Sequence, residues 1–209
     1  MTHIAIIDCG AGNLHSVRKA FMSQLPEGAT LEIITDASAL REATHIVLPG
    51  VGAFADCMAG LSALPGMRAA LEDAVLEQKK PFFGICVGMQ MLFARGHEHG
   101  THEGLGWFQG EVRMLTPNDP ALRIPHMGWN RLHYTNHEPR TTNHASGDFV
   151  YFVHSYAATG CKPEEVLATV DYGGEVVALI GRDNILGAQF HPEKSQAAGL
   201  RLIRQFIET

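Results

Sequence analysis

The stretch that most constrains this chain is Pro81-Phe82-Phe83-Gly84-Ile85-Cys86-Val87-Gly88-Met89-Gln90. Its first half is a continuous apolar run, as suits a strand covered on both faces. Its second half has the form Gly-x-Cys-x-Gly, the strand-to-helix elbow pattern with a thiol in place of the more familiar hydroxyl. A chain that reverses within one residue strains the backbone at the apex, and the neighbours of that residue must lack bulky Cβ groups. The thiol is then expected at the carboxyl edge of a sheet, against the first N–H groups of a helix, where an anion is favoured. A free cysteine has a pKa of about 8.5, and such a position lowers it. Alone, the pattern is equally compatible with an inert cysteine in a core.

A cysteine nucleophile needs a base, and the base needs a group to orient it. About a hundred residues on stands Gln189-Phe190-His191-Pro192-Glu193, after the apolar strand Ile185 to Phe190. In an extended chain residues i and i+2 point to the same side. Glu193 is therefore expected to hold one imidazole nitrogen of His191 while the other faces Cys86, with Pro192 keeping the backbone extended between them. By itself His-Pro-Glu reads as a surface turn. With Gly-x-Cys-x-Gly ahead of it, it makes Cys86, His191 and Glu193 a candidate triad.

The remaining chain reads as alternating strands and helices. Ile4–Ile7 is a buried strand, followed by a glycine-rich turn and a helix to about Gln24. A tight strand-to-helix turn is preferred there to a dinucleotide loop, because His15 stands where the third glycine belongs and no acidic residue closes the second strand in the expected way. Leu31–Ile34 and His45–Leu48 are further strands. The second ends in Pro49-Gly50-Val51-Gly52, either a plain turn or a place where backbone N–H groups are aimed at a ligand. A helical region over 53–78, broken at Pro65-Gly66, leads back to Pro81. The run His97-Glu98-His99-Gly100-Thr101-His102 is rich in metal-ligand types. His102 comes one residue too late for the His-Glu-x-x-His of a zinc-binding helix, and Gly100 opposes a regular helix, so no metal site is assigned. From Gly104 onward short strands dominate: Glu111–Leu115, Asn130–Tyr134, Phe149–Val153 and Glu175–Ile180, with Met127-Gly128-Trp129 read as a turn. The last segment, Ser195 to Glu208, is a helix with Leu202, Ile203, Phe206 and Ile207 on its apolar side and Ser195 as its cap.

At 209 residues the chain suits a single domain over 1–209, and the expected class is α/β, a mostly parallel sheet flanked by helices with an added antiparallel portion. A net charge of −6 argues against nucleic acid and anionic membrane as partners. No apolar run approaches the roughly 20 residues of a membrane span, and the N-terminus lacks a basic leader, so a cytoplasmic protein is expected. Cys9, Cys57, Cys86 and Cys161 show no paired spacing and read as reduced thiols.

Taken together, Gly84 to Gln90 and His191-Pro192-Glu193 resemble the class I (triad) glutamine amidotransferases. Three further motifs narrow the resemblance: Leu48-Pro49-Gly50-Val51-Gly52-Ala53-Phe54, Pro125-His126-Met127-Gly128-Trp129-Asn130 and Tyr151-Phe152-Val153-His154-Ser155-Tyr156. These are similar to the glutaminase subunits of imidazole glycerol phosphate synthases. The five motifs come in the family's order and cover essentially the whole chain. The resemblance implies hydrolysis of glutamine to glutamate and ammonia, with no cofactor. The ammonia would pass to a cyclase subunit that makes imidazole glycerol phosphate and AICAR in histidine biosynthesis, in a heterodimer. It implies an oxyanion hole at Val51, Gly52 and Val87, and glutamine binding by Gln90, Glu98 and the strand His154-Ser155-Tyr156. It also implies a partner interface or ammonia exit at Asn13, Trp129, Tyr151 and Lys194. On the residues alone, Trp129 reads as core, Tyr151 as one of a cross-strand pair and Lys194 as a solvated charge. Because the motifs fill all 209 residues, no second domain is expected to consume the ammonia. The alternatives are a glutaminase subunit of another amidotransferase and a non-catalytic binding subunit.

Overall fold

A computed structural model of the chain describes residues 1–135 and 147–209. In chain order the strands and helices are β1 His3–Ile7, α1 Leu14–Met22, β2 Thr30–Ile34, β3 His45–Gly50, α2 Phe54–Ala63, α3 Met67–Glu72, β4 Phe82–Cys86 and α4 Val87–Gln90. Then come β5 Phe93–Gly96, β6 His102–Glu103, β7 Phe108–Met114, β8 His126–Arg131, β9 His133–Tyr134, β10 Phe149–His154 and β11 Tyr156–Thr159. The chain closes with β12 Val166–Asp171, β13 Glu175–Arg182, β14 Ile185–Ala188 and α5 Gln196–Ile207.

The main sheet has the order β2-β1-β3-β4-β14-β13-β12-β9. Its first five strands are parallel, and β13, β12 and β9 extend it antiparallel. β3 and β4 are buried at every residue, because helices and loops cover both faces of this part of the sheet. Successive side chains alternate between those faces. Phe83 meets Phe21 of α1 and Phe206 of α5 on one side, with ring centroids 6.4 and 5.3 Å away. Phe82 meets Trp107 on the other at 5.2 Å. The expected apolar side of α5 is buried as read.

The α/β architecture matches the expectation, and so does the helix break, where Gly66 takes a left-handed φ of 71° between α2 and α3. The antiparallel portion divides. Besides extending the main sheet, it forms a two-stranded β10-β8 sheet and a four-stranded β11-β7-β5-β6 sheet. One expected turn is a strand: Met127-Gly128-Trp129 lies inside β8, because 126–131 pair residue for residue with 149–154 of β10. That pairing also ends β8 at Arg131, so the expected strand Asn130–Tyr134 is two elements. The helix after the elbow is a single turn over Val87–Gln90.

Candidate active site

β4 lies between two parallel neighbours, with Cys86 opposite Gly50 of β3 and Gly84 opposite Gly187 of β14. Its carboxyl end therefore opens at the middle of the parallel sheet, the usual place for a site in such folds. Cys86 sits at the apex with φ 55° and ψ −111°, a region that costs a non-glycine residue on the order of 1–3 kcal/mol. The flanking glycines are required by contact. A Cβ on Gly88 would stand 1.8 Å from the Leu48 carbonyl oxygen, and one on Gly84 would stand 2.7 Å from that of Gly88. The elbow thus fits only where backbone meets backbone.

His191 follows β14, one residue past the expected end of that strand at Phe190 and three past its observed end at Ala188. Its Nδ1 lies 2.8 Å from Glu193 Oε1, and the two side chains are 3% and 1% exposed. The expected pairing is therefore present, but the expected reason is not. Pro192 opens a 3-10 turn, Pro192–Lys194, rather than keeping the chain extended. Proline at the first position of a helical turn loses no hydrogen bond, and the turn brings the carboxylate back under the ring.

The turn is held by β10. The His191 N–H donates to the Tyr151 carbonyl at 2.9 Å. The Ser195 hydroxyl donates to the His191 carbonyl at 2.6 Å and accepts from the Tyr151 N–H at 3.0 Å. Ser195 was expected to cap α5; its side chain instead ties the histidine turn to β10 and makes no cap bond. The base is thereby set against the sheet by three bonds, none of which the sequence announces.

Cys86 and His191 line one cavity of about 310 Å³, together with Val51, Gly52, Val87, Gln90, Glu98, His154, Ser155 and Tyr156. Every residue expected at the oxyanion hole and in glutamine binding thus borders the same space as the thiol. Pro125 and Val153, which stand within two of the family-like motifs but were given no role, also line it. Glu98 Oε2 accepts the Phe54 N–H at 2.8 Å, so the carboxylate is anchored at the start of α2. Gln90 Nε2 donates to the Tyr156 carbonyl at 2.9 Å and to Gln189 Oε1 at 3.0 Å. Gln189 is the functional candidate missed in the sequence: its Nε2 lies 3.8 Å from Cys86 Sγ. Burial opposes a charge on His191, but the Cys86 side chain and the Glu193 carboxylate outweigh it and push the imidazole up to about 9. His191 Nε2 is buried with no hydrogen-bond partner among the described residues.

The four residues expected at an interface lie outside the cavity. Trp129 and Tyr151 are a cross-strand pair, ring centroids 6.0 Å apart, and Lys194 Nζ stands 5.7 Å over the Tyr151 ring. Trp129 is 47% exposed, so it is not the core residue its type suggests. Asn13 is exposed and caps α1, accepting the Ser16 N–H at 3.3 Å. In the 97–103 segment His97 is engaged by Glu111 and Thr101, and among the described residues no His, Cys, Asp or Glu group is arranged to hold a metal ion.

The sequence profile of the family described as Glutamine amidotransferase class-I matches residues 5–209. The chain is 50% identical over 210 residues to the imidazole glycerol phosphate synthase subunit HisH of Mesorhizobium japonicum, covering 98% of this chain and 97% of that one. It is 48% identical over 208 residues to the HisH of Zymomonas mobilis, covering 98% and 95%. Among solved structures, one described as a glutamine amidotransferase superposes with a TM-score of 0.74 at 16% identity, over 99% of both chains. PurLQS from Thermotoga maritima gives 0.70 at 16%, over 99% and 97%. A cysteine elbow and a paired His-Glu in one cavity, a profile match over nearly the full length, and relatives half identical throughout agree: the chain belongs to the class I glutamine amidotransferase family.

Proposed function

We propose that this chain hydrolyses glutamine to glutamate and ammonia, and that it supplies the ammonia to a cyclase subunit forming imidazole glycerol phosphate and AICAR. The observation that carries the reading is the shared cavity of Cys86 and His191, with Glu193 Oε1 2.8 Å from His191 Nδ1. The Cys86 sulfur attacks the carboxamide carbon of glutamine. The developing oxyanion is to be met by backbone N–H groups of Val51, Gly52 and Val87, residues that line the same cavity. His191, held protonated by its partners, gives its proton to the leaving nitrogen, and ammonia departs. The thioester left on Cys86 is then opened by water. His191 takes the water's proton, glutamate leaves and the thiol is restored. Glu193 keeps the ring oriented throughout. Glu98 offers its carboxylate to the α-ammonium of glutamine, and Ser155 and Tyr156 present backbone beside its α-carboxylate.

The choice of pathway is supported by relatives at 48–50% identity that are named subunits of imidazole glycerol phosphate synthase. A docking face for the cyclase is supported by the outward side of β8 and β10, where Met127, Trp129 and Phe149 are 62%, 47% and 55% exposed. Apolar groups of this size, grouped on one strand face, mark an interaction surface.

The test is turnover of the assembled complex, once with glutamine and once with ammonium salts. Cys86→Ala is expected to abolish the first and keep the second, because the cyclase needs the ammonia and not the thiol. Glutamine-dependent turnover surviving in Cys86→Ala would remove Cys86 from the mechanism.

A further inference from the structure

A one-turn helix has little dipole to offer an anion, so α4 gives the Cys86 sulfur less support than a longer helix would. Besides the His191 imidazole, whose proton the Cys86 side chain helps to hold, a side-chain amide reaches the sulfur. Gln189 is 0% exposed, and its Nε2 lies 3.8 Å from Cys86 Sγ. The direction of that amide is dictated from a distance. A backbone carbonyl only accepts, so the nitrogen of the Gln90 amide must face the Tyr156 oxygen. The second N–H on that nitrogen points at Gln189, and only an oxygen can receive it. The nitrogen of Gln189 is thereby turned toward the sulfur.

The same carbonyl orders the other side of the network. His154 Nδ1 lies 2.9 Å from the Tyr156 oxygen and must carry the proton, so its Nε2 is an acceptor. His126 Nδ1 donates to it at 3.1 Å, and His126 Nε2 accepts from Asn130 Nδ2 at 3.3 Å. The other N–H of that amide goes to the Asp171 carbonyl at 2.9 Å. All members are satisfied in a single polarity, and that polarity ends with an N–H on Cys86. Networks of this kind are stiff, because reversing one member orphans the next.

We propose that Gln189 is a positioning residue of the nucleophile: its amide N–H, oriented by Gln90 and the Tyr156 carbonyl, donates to the Cys86 sulfur and favours the anionic form. A hydrogen bond to the charged form of a group favours that form. A neutral amide does this without adding a positive charge to a cavity that must admit the ammonium of an amino acid. The inference rests on Cys86 being the nucleophile.

The experiment uses the chain assembled with its cyclase partner. It follows the pH dependence of Cys86 alkylation by iodoacetamide, located by mass spectrometry because Cys9, Cys57 and Cys161 are also free. kcat and KM for glutamine are measured alongside. Gln189→Glu keeps the shape but sets a carboxylate against the sulfur, and Gln189→Leu removes the donor. In both, the alkylation midpoint is expected to rise, by about one pH unit or more in Gln189→Glu, which is about tenfold less thiolate below the midpoint. kcat falls while KM changes little. If Gln189→Leu fails to fold, the nearly isosteric Gln189→Glu carries the test. An unchanged midpoint in folded Gln189→Glu overturns the role. Cys86→Ala separates the two layers of the argument. If it loses glutamine turnover while the Gln189 variants keep the wild-type midpoint, only this inference falls. If it retains turnover, the assignment of Cys86 falls and this inference with it.

Discussion

At the scale of single residues, the proposed mechanism gives His191 and Glu193 unequal shares of one task. Replacing His191 with alanine removes the proton carrier, and a general acid–base group contributes roughly 10²–10⁴-fold to rate. Glu193→Gln keeps a hydrogen-bonding group beside Nδ1 and is expected to cost less; equal losses would mean that the carboxylate does more than orient. The charge of Glu193 is among the causes that raise His191 to about 9. Turnover is thus expected to decline as pH rises through about 9 and His191 loses its proton, and in Glu193→Gln that decline should move to lower pH. A pH profile with the same alkaline limb in both proteins would detach Glu193 from the histidine. The same shift bears on stability. The imidazole is raised above its usual 6.5, so its contribution is fully present below that value and is lost as pH rises through about 9. That Cys86, His191 and Glu193 lie together was legible in the sequence because the elbow and the His-Pro-Glu segment each carry a local steric signature. Gln189 and Ser195 were not. Each acts through a partner remote in sequence, Gln90 in one case and Tyr151 in the other, and no local spacing encodes such a meeting.

At the scale of elements, the elbow is a fit between two backbones, and its glycines are testable as packing. Gly88→Ala would drive a Cβ into the Leu48 carbonyl, against main chain that cannot rotate away. Overpacking usually costs about 1–3 kcal/mol, and a collision with backbone belongs at or beyond the upper end. Urea unfolding of Gly88→Ala at a wild-type midpoint would show that β3 and the elbow are less closely apposed than described. The β8–β10 pair carries a second prediction. His126 and His154 face one another across it, and burial pushes both imidazoles down, to about 4. Groups held neutral in the fold but free to charge when unfolded make the fold lose stability as pH falls from their usual 6.5 toward 4. Melting temperature against pH should therefore fall in that window, and replacing both histidines with apolar residues should flatten the slope. β1, β3 and β4 of the parallel half were readable from their apolar runs and glycine turns, since strands buried on both faces have that look whatever surrounds them. The β8 strand was misread because Met127 and Trp129 sit on a face open to solvent, so the apolar pattern that marks a buried strand does not apply. Its pairing with β10 is a long-range fact that the Met-Gly-Trp spelling conceals.

At the scale of the whole molecule, two features look outward from the cavity: the apolar face of β8 and β10, and the turn after β3. Large aromatic groups dominate the energetics of interfaces, and a central one is commonly worth about 2 kcal/mol or more. Trp129→Ala is expected to weaken association with the cyclase by at least about tenfold, read by titration calorimetry; unchanged affinity would move the docking face elsewhere. The turn carries the last prediction, that the chain alone is a poor glutaminase and becomes a good one with its loaded partner. Ammonia released into neutral water takes up a proton and ceases to be a nucleophile, so hydrolysis without a partner wastes glutamine. Gly50, Val51 and Gly52 are the segment able to act as the switch. Gly52 has a φ of 98°, and Val51 and Gly52 both border the cavity that holds the thiol. Two thiols hold the segment by its carbonyls, Cys57 donating to Val51 at 3.6 Å and Cys9 to Pro49 at 3.8 Å. Such sulfur contacts are weak, so the turn is tethered without being locked. An N–H of Val51 turned away from the substrate leaves one oxyanion donor missing, worth about 2.7–4 kcal/mol, or a hundred- to thousandfold in rate. Steady-state glutamine hydrolysis by the chain alone, then with the cyclase, then with the cyclase and its nucleotide substrate, should rise stepwise by factors of that order. Equal rates in all three would show that the turn is already set for catalysis in the free chain, and the rate of the complex would then be controlled in the cyclase rather than at the oxyanion donors.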